Sequence, residues 1–328
     1  MLNGLYVMRP DSFDDVYGPD ERAAIERHLR IGAPPMAAGQ LTPELLADLE
    51  VLVTAWQGPQ LTAELLEAAP KLQLVLYGAG SIKGIVTPES WARGVRITTA
   101  NTAIAHAVAE FALAEILISL KHGWRYIIRS RAEGTWQKRG NELGANGATV
   151  GLVSFGATGQ ATAKLLSRFD LNLLAYDPYV DPAVAEAHGV RLVGLDELIA
   201  RSDVVSLHVP NLPATRHMVS TAFLEAMKRG ATLINTSRGA VVDENALVEV
   251  LSRRADLFAV LDVTDPEPPA AGSPLFSLPN IVVTPHIAGS LGKERRRQGR
   301  LMAEELARYV AGEPMRHEVF ESAMARSA

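Results

Sequence analysis

The chain has 328 residues, 48% of them hydrophobic and 21% charged, with a formal net charge of −5. That length predicts two domains, and the mild acidity excludes the basic surface that nucleic acid or anionic lipid would need. With no cysteine there is no disulfide, thiolate nucleophile or zinc–thiolate site, and no metal is expected. Apolar runs at Leu5–Met8, Val51–Ala55, Leu72–Tyr77 and Val95–Thr98 predict strands. Between them Asp20–Arg30, Pro43–Leu49, Thr62–Ala68 and Pro88–Arg93 predict helices, with Thr42-Pro43 and Thr87-Pro88 as N-cap and N1 signals. Asn101–Lys121 follows as a long apolar helix carrying His106, Glu110 and Glu115. Those polar groups predict a buried connector between domains, not a membrane span. The N-terminal segment lacks a basic region followed by an apolar core, so no secretory signal is expected and the cytoplasm is the expected location. From Thr149 the pattern restarts, with strands at 149–154, 171–176, 203–207, 231–235, 257–261 and 281–284. Helices at 157–168, 182–187, 195–201, 221–228 and 243–253 alternate with them, and a last helix spans 291–311. Regular strand–helix alternation predicts an α/β protein with two doubly wound parallel-sheet domains.

The segment Gly151-Leu-Val-Ser-Phe-Gly-Ala-Thr-Gly159 joins a strand to a helix, and the next apolar run, Leu171–Tyr176, ends in Asp177. Strand, glycine turn, helix, strand and terminal carboxylate make a dinucleotide-binding βαβ unit. Gly156 lets backbone approach a pyrophosphate, Gly159 lets the helix lie close to the strand, and the helix N-terminus attracts the phosphate charge. Asp177 stands where it can accept from the adenosine ribose hydroxyls, which favours NAD over its 2′-phosphorylated form. The first glycine of the usual motif is replaced by Ser154, a residue small enough to fit.

Three later segments place reactive groups just beyond predicted strands: Asn235-Thr-Ser-Arg-Gly239, Asp262-Val-Thr-Asp-Pro-Glu267 and Thr284-Pro-His-Ile-Ala-Gly289. Arginine holds a carboxylate in a planar bidentate pair. Histidine exchanges an alcohol proton near neutral pH, and a glutamate on its other ring nitrogen orients the ring. Arg238, Glu267 and His286 therefore suit redox chemistry at an α-hydroxy acid. Asp265 competes with Glu267 for the orienting role. The run Arg295-Arg-Arg297 reads as a solvated helix face.

These segments resemble the D-isomer-specific 2-hydroxyacid dehydrogenase family, which includes phosphoglycerate, glycerate, hydroxypyruvate and glyoxylate enzymes. The likeness runs from Leu72 to Gly299; residues 1–70 match in pattern only. It implies NAD as cofactor and a small 2-keto or 2-hydroxy carboxylate as substrate. It implies an NAD-binding Rossmann domain, 101–290, inserted in a flavodoxin-like substrate domain formed by 1–100 and 291–328. It assigns Arg238, Glu267 and His286 to catalysis, and places the substrate carboxylate on Arg238 and on the N–H groups of Ala79 and Gly80. The cofactor's phosphates and ribose fall to Phe155, Gly156, Ala157, Thr158, Gly159, Asp177 and Pro178. Its adenosine side falls to His208, Val209, Pro210 and Thr215. Its nicotinamide carboxamide falls to Asp262, and Thr236, Ser237, Arg238, His286 and Gly289 are further cofactor-binding positions. The resemblance further implies a homodimer with an arm at 121–145, in which Trp136 and Arg139 are candidates for shaping the partner's pocket. Two departures are Asn211, where leucine is frequent, and Ala107, where a hydroxyl is common. The alternatives are a dinucleotide-sensing corepressor of the same fold, or a formate dehydrogenase, against which a glutamate at 267 in place of an amide counts.

Overall fold

The structure, a computed structural model, describes residues 1–140 and 144–326. In chain order the strands are β1 (Leu2–Val7), β2 (Leu29–Ile31), β3 (Val51–Thr54), β4 (Leu74–Tyr77), β5 (Arg96–Thr99), β6 (Thr149–Val153) and β7 (Asn172–Tyr176). They continue with β8 (Arg191–Leu192), β9 (Val204–Leu207), β10 (Thr232–Asn235), β11 (Phe258–Leu261), β12 (Ile281–Val283) and β13 (Glu318–Val319). Two compact units result: Met1–Ile104 together with the chain from Ser290 onward, and Ala105–Gly289.

In the first unit the sheet order is β13-β5-β4-β3-β1-β2. Without β13 this is the flavodoxin-like order, whose direction reverses between β1 and β3. β3 and β4 are buried along their whole length, as central parallel strands covered on both faces must be. The helix Arg296–Val310 closes one face, with Met302 and Leu306 fully buried in the same core. The register pairs Val7 with Thr54, Thr54 with Tyr77 and Tyr77 with Thr99. The loops after β1, β3, β4 and β5 therefore leave from one edge.

The second unit is a seven-stranded sheet in the order β12-β11-β10-β9-β6-β7-β8, every pairing parallel. Its direction reverses between β6 and β9, the position where doubly wound sheets receive dinucleotides. Asn235, Leu261 and Val283 share one register row, which brings the three loops beyond β10, β11 and β12 to a single level. The helix Asn101–Leu120 is long and apolar enough to cross a bilayer, yet half of it is buried within the protein. Its Glu115 is buried and accepts from Trp124 Nε1 at 2.7 Å. Burial raises the pKa of that carboxyl, and the Trp124 bond works against the rise.

Several expectations are corrected. The helix expected over 20–30 spans Pro19–Glu26, and Leu29–Ile31 pairs with β1 as a strand instead. The stretch alternates, with Leu29 buried and Arg30 exposed, and that alternation is a strand signature. The final helix begins with a 3₁₀ turn, Gly292–Arg295. The first sheet is not wholly parallel: β13 joins β5 antiparallel. Arg96 donates to Glu318 from Nε at 2.7 Å and from Nη2 at 2.6 Å, a bidentate clamp on that edge. The arm segment opens as a helix, Gly123–Glu133, which takes in Arg131. Residues 141–143 of the expected 121–145 arm lie outside the described residues. The first compact unit runs on to Ile104, into the first turn of the long helix. Ala100 N–H donates to Ala79 O at 2.9 Å, and Ile104 sits beside Gly80, which ties the helix's first turn to the first unit.

Candidate functional site

The nucleotide turn follows β6. A methyl at Gly159 would lie 2.5 Å from Ser154 O, so only glycine lets this helix begin so close to the strand. Gly156 caps the helix Ala157–Leu166 with open space above it. The N–H groups of Gly156, Ala157 and Thr158 have no acceptor among the described residues. Exposed, unused donors at the positive end of a helix dipole fit a pyrophosphate. Ser154 adopts φ 75°, the left-handed region that costs a non-glycine residue about 1–2 kcal/mol. The expectation that serine merely has to be small enough is therefore corrected, because the position asks for glycine's backbone. Part of the strain is offset by a hydrogen bond from Ser154 Oγ to Asp177 Oδ2 at 3.1 Å. Asp177 Oδ2 also accepts from Phe155 N–H at 2.8 Å, and Oδ1 from Tyr179 and Val180 N–H at 2.9 and 3.2 Å. The carboxylate's acceptor sites are thus all used by the chain. A ribose hydroxyl would take the place of the Ser154 hydroxyl, the one donor that can rotate away.

The second cluster sits beyond β10, β11 and β12. Asn235 builds the first loop: its Oδ1 accepts from Ser237 N–H and Oγ, and its Nδ2 donates to Arg238 O at 3.0 Å. Arg238 spends Nη1 on Ser237 O at 2.6 Å. The rest of its fork has no acceptor among the described residues. Burial lowers the Arg238 pKa while the Glu267 charge raises it, and the guanidinium remains charged. Gly239 packs against Thr264 and Asp265, whose backbone stands where a side chain would be. Glu244 accepts from Asp265 N–H at 2.7 Å and fixes the second loop from below. Within that loop Glu267 Oε1 lies 2.6 Å from His286 Nδ1. Asp265 pairs instead with Arg216 at 3.5 Å. Of the two acids, then, Glu267 holds the histidine.

His286 sits at φ 54°, another left-handed backbone, and Asp262 maintains it. His286 N–H donates to Asp262 O at 3.0 Å. The buried Asp262 carboxylate accepts from Thr284 Oγ1 at 2.6 Å and from Ile287 and Ala288 N–H, both at 2.8 Å. Asp262 therefore shapes the histidine turn, whatever it also offers a nicotinamide. His286 Nε2 has no acceptor among the described residues, leaving it open to a substrate oxygen.

The remaining predicted residues sort clearly. Thr236 Oγ1 and His208 Nδ1 are buried without a partner among the described residues, as groups awaiting a ligand would be. Burial pushes the His208 pKa down from 6.5 to about 4, so the ring is neutral. Thr215 Oγ1 is occupied in folding its own loop, donating to Pro210 O at 2.5 Å. Val209 is buried, while Pro178 and Gly289 lie at the surface or half-buried. Ala79 and Gly80 belong to the first unit, where Ala79 is fully buried. Trp136 is 93% exposed, so it is not a packing anchor among the described residues. Sequence reasoning missed Asn235, Glu244 and Thr284 as supports. Only Asn235 carried a local signal, an Asn two residues before a loop N–H that it can bond.

Residues 101–288 match the family model described as D-isomer specific 2-hydroxyacid dehydrogenase, NAD binding domain. The D-3-phosphoglycerate dehydrogenase of Mycobacterium bovis is 38% identical over 253 residues, 76% of this chain and 47% of that protein. The glyoxylate reductase of Korarchaeum cryptofilum is 34% identical over 299 residues, 88% of this chain and 89% of that one. A phosphoglycerate oxidoreductase from Rhizobium etli superimposes with a TM-score of 0.82 at 25% identity, covering 98% of this chain and 99% of that one. The chain belongs to the D-isomer specific 2-hydroxyacid dehydrogenase family, and its second unit is an NAD-binding domain. It spans about half the length of the phosphoglycerate dehydrogenases that it matches.

Proposed function

We propose that the protein is an NAD-dependent oxidoreductase interconverting a small D-2-hydroxy acid and its 2-keto acid. The observation that carries this reading is the 2.6 Å contact of His286 Nδ1 with Glu267 Oε1, with Arg238 on the adjacent loop. In the reductive direction NADH, when bound, supplies the hydride. Arg238 holds the substrate carboxylate through its unused N–H groups. His286, protonated and steadied by Glu267, delivers a proton from Nε2 to the keto oxygen. The family resemblance also assigns carboxylate binding to the N–H groups of Ala79 and Gly80. On the cofactor side, Gly156 to Thr158 hold the pyrophosphate, Asp177 the ribose, and Thr236 and Asp262 the nicotinamide end. The family names carried by relatives suggest glyoxylate, hydroxypyruvate or a phosphorylated hydroxy acid as substrate.

We extend the proposal to a homodimer. The helix Asn101–Leu120 leaves Val108, Phe111, Leu117 and Ile118 only half-covered, and Trp136 and Ile127 are exposed nearby in sequence. A two-fold copy would bury these surfaces, and light scattering would read the mass. The chemistry is tested by NADH oxidation with glyoxylate, hydroxypyruvate, pyruvate, phenylpyruvate and 2-ketoglutarate. At least one keto acid should turn over, with His286→Ala losing on the order of 10²–10⁴ in kcat. A panel without turnover, or a simple ketone reduced as well as its keto acid, would overturn it.

A further inference from the structure

We propose that Tyr17 is a positioning residue that sets the conformation of the Gly78–Gly80 turn. This rests on the carboxylate-binding role proposed above for that turn. Tyr17 is fully buried, its ring tilted against those of Tyr6 and Phe13 with centroids 5.6 and 6.0 Å away. Its hydroxyl donates to Thr54 O at 2.9 Å, and Gly78 N–H donates to the same carbonyl at 2.8 Å. One carbonyl at the end of β3 therefore anchors both the tyrosine and the first residue of the turn. Thr54 is itself held by its own Oγ1, which donates to Val7 O at 2.5 Å.

The fit is close enough to exclude a side chain. A Cβ on Gly78 would lie 2.5 Å from Tyr17 Oη and 3.1 Å from its Cζ. The tyrosine thus fills the space beneath the turn while its hydroxyl secures the carbonyl that the turn hangs from. Burial keeps that hydroxyl protonated, and so a donor. On the far side Ala79 O accepts from Ala100 N–H at 2.9 Å. Between these two attachments the N–H groups of Ala79 and Gly80 have no acceptor among the described residues. Two adjacent unused N–H groups on a backbone pinned from both sides make a preorganised anion cradle. Tyr17 is one of the two pins.

The test uses the full chain. Tyr17→Phe keeps the buried ring and removes only the donor. We expect the keto-acid KM to rise roughly three- to tenfold, the range of one lost hydrogen bond, with kcat and the NADH KM unchanged. Amide exchange of a peptide covering Ala79 and Gly80 should quicken. Gly78→Ala should raise the keto-acid KM by itself, and adding Tyr17→Phe should recover part of that loss, because the methyl enters the space left by the hydroxyl. A lowered melting temperature with parental KM and parental exchange at 78–80 would overturn the proposal, as would a double variant with no recovery. If the parent turns over no keto acid, the functional reading fails by itself, and the exchange comparison still decides whether Tyr17 sets the turn.

Discussion

Gly239→Ala is expected to damage turnover without touching a reacting group. The added methyl would lie 2.0 Å from both C and O of Thr264 and 2.6 Å from Asp265 N. All three are backbone atoms, so no rotamer relieves the contact. Since Cβ atoms essentially never approach closer than 3.0 Å, the loop of Arg238 must part from the loop of Glu267 by about 1 Å or more. Misplacement on that scale costs on the order of 10²-fold in rate, and the overpacking itself about 1–3 kcal/mol of stability. The assay is kcat/KM for the best keto acid of the panel, with thermal unfolding and NADH fluorescence titration in parallel. A fall of about 10² in kcat/KM with NADH affinity retained is the expected result. A folded variant with parental kcat/KM would show that the spacing of the two loops does not govern the chemistry.

Arg238→Lys should lose most of the parent's kcat/KM, as Arg238→Ala does, because an ammonium cannot reproduce the bidentate fork; parental efficiency in the lysine variant would refute carboxylate pairing. NADH should be preferred over NADPH by at least about tenfold, since Asp177 meets a 2′-phosphate with like charge; equal kcat/KM for the two cofactors would remove that role. Ser154→Gly should raise stability by about 1 kcal/mol and tighten NADH, since it relieves the left-handed strain and frees one acceptor site on Asp177; a weaker NADH Kd would contradict the geometry. His208 is neutral in the fold and protonates near 6.5 when free, so its contribution is intact above pH 6.5, is lost as pH falls, and stops changing below about 4. The parent's stability in cofactor-free denaturant titrations, relative to that of His208→Gln, should fall by up to on the order of 3 kcal/mol across that window. His208→Gln should flatten the slope, and an unchanged slope would clear His208. Asp256, held down to about 2 chiefly by Arg254, acts below this range and does not confound it.

The strands at 51–54, 74–77 and 232–235 were legible because continuous apolar runs between turn residues admit few other readings. β2, β8 and β13 were not, since two or three residues carry too little periodicity and depend on partners such as Arg96 for Glu318. Arg238, Glu267 and His286 stood out because loop residues with reactive groups break the apolar pattern. Their supports did not. Glu244 reads as an ordinary first-turn helix acid until the register puts it under Asp265. Thr284 reads as a strand end until β11 and β12 are known to be neighbours. The strain at Ser154 and His286 is a property of φ, and no residue name declares it.

The antiparallel pairing of β13 with β5 bears on the order in which the protein can be made. Synthesis releases β1 to β5 first, and the outer rim of β5 then has no hydrogen-bonding neighbour until Glu318–Val319 leaves the ribosome. The helix carrying Met302 and Leu306, which covers one face of that core, arrives equally late. The NAD-binding unit, whose strands all lie between Thr149 and Val283, leaves the ribosome ahead of both. The nascent chain therefore carries an open sheet edge upstream until its later segments emerge, the kind of surface that invites pairing with another chain.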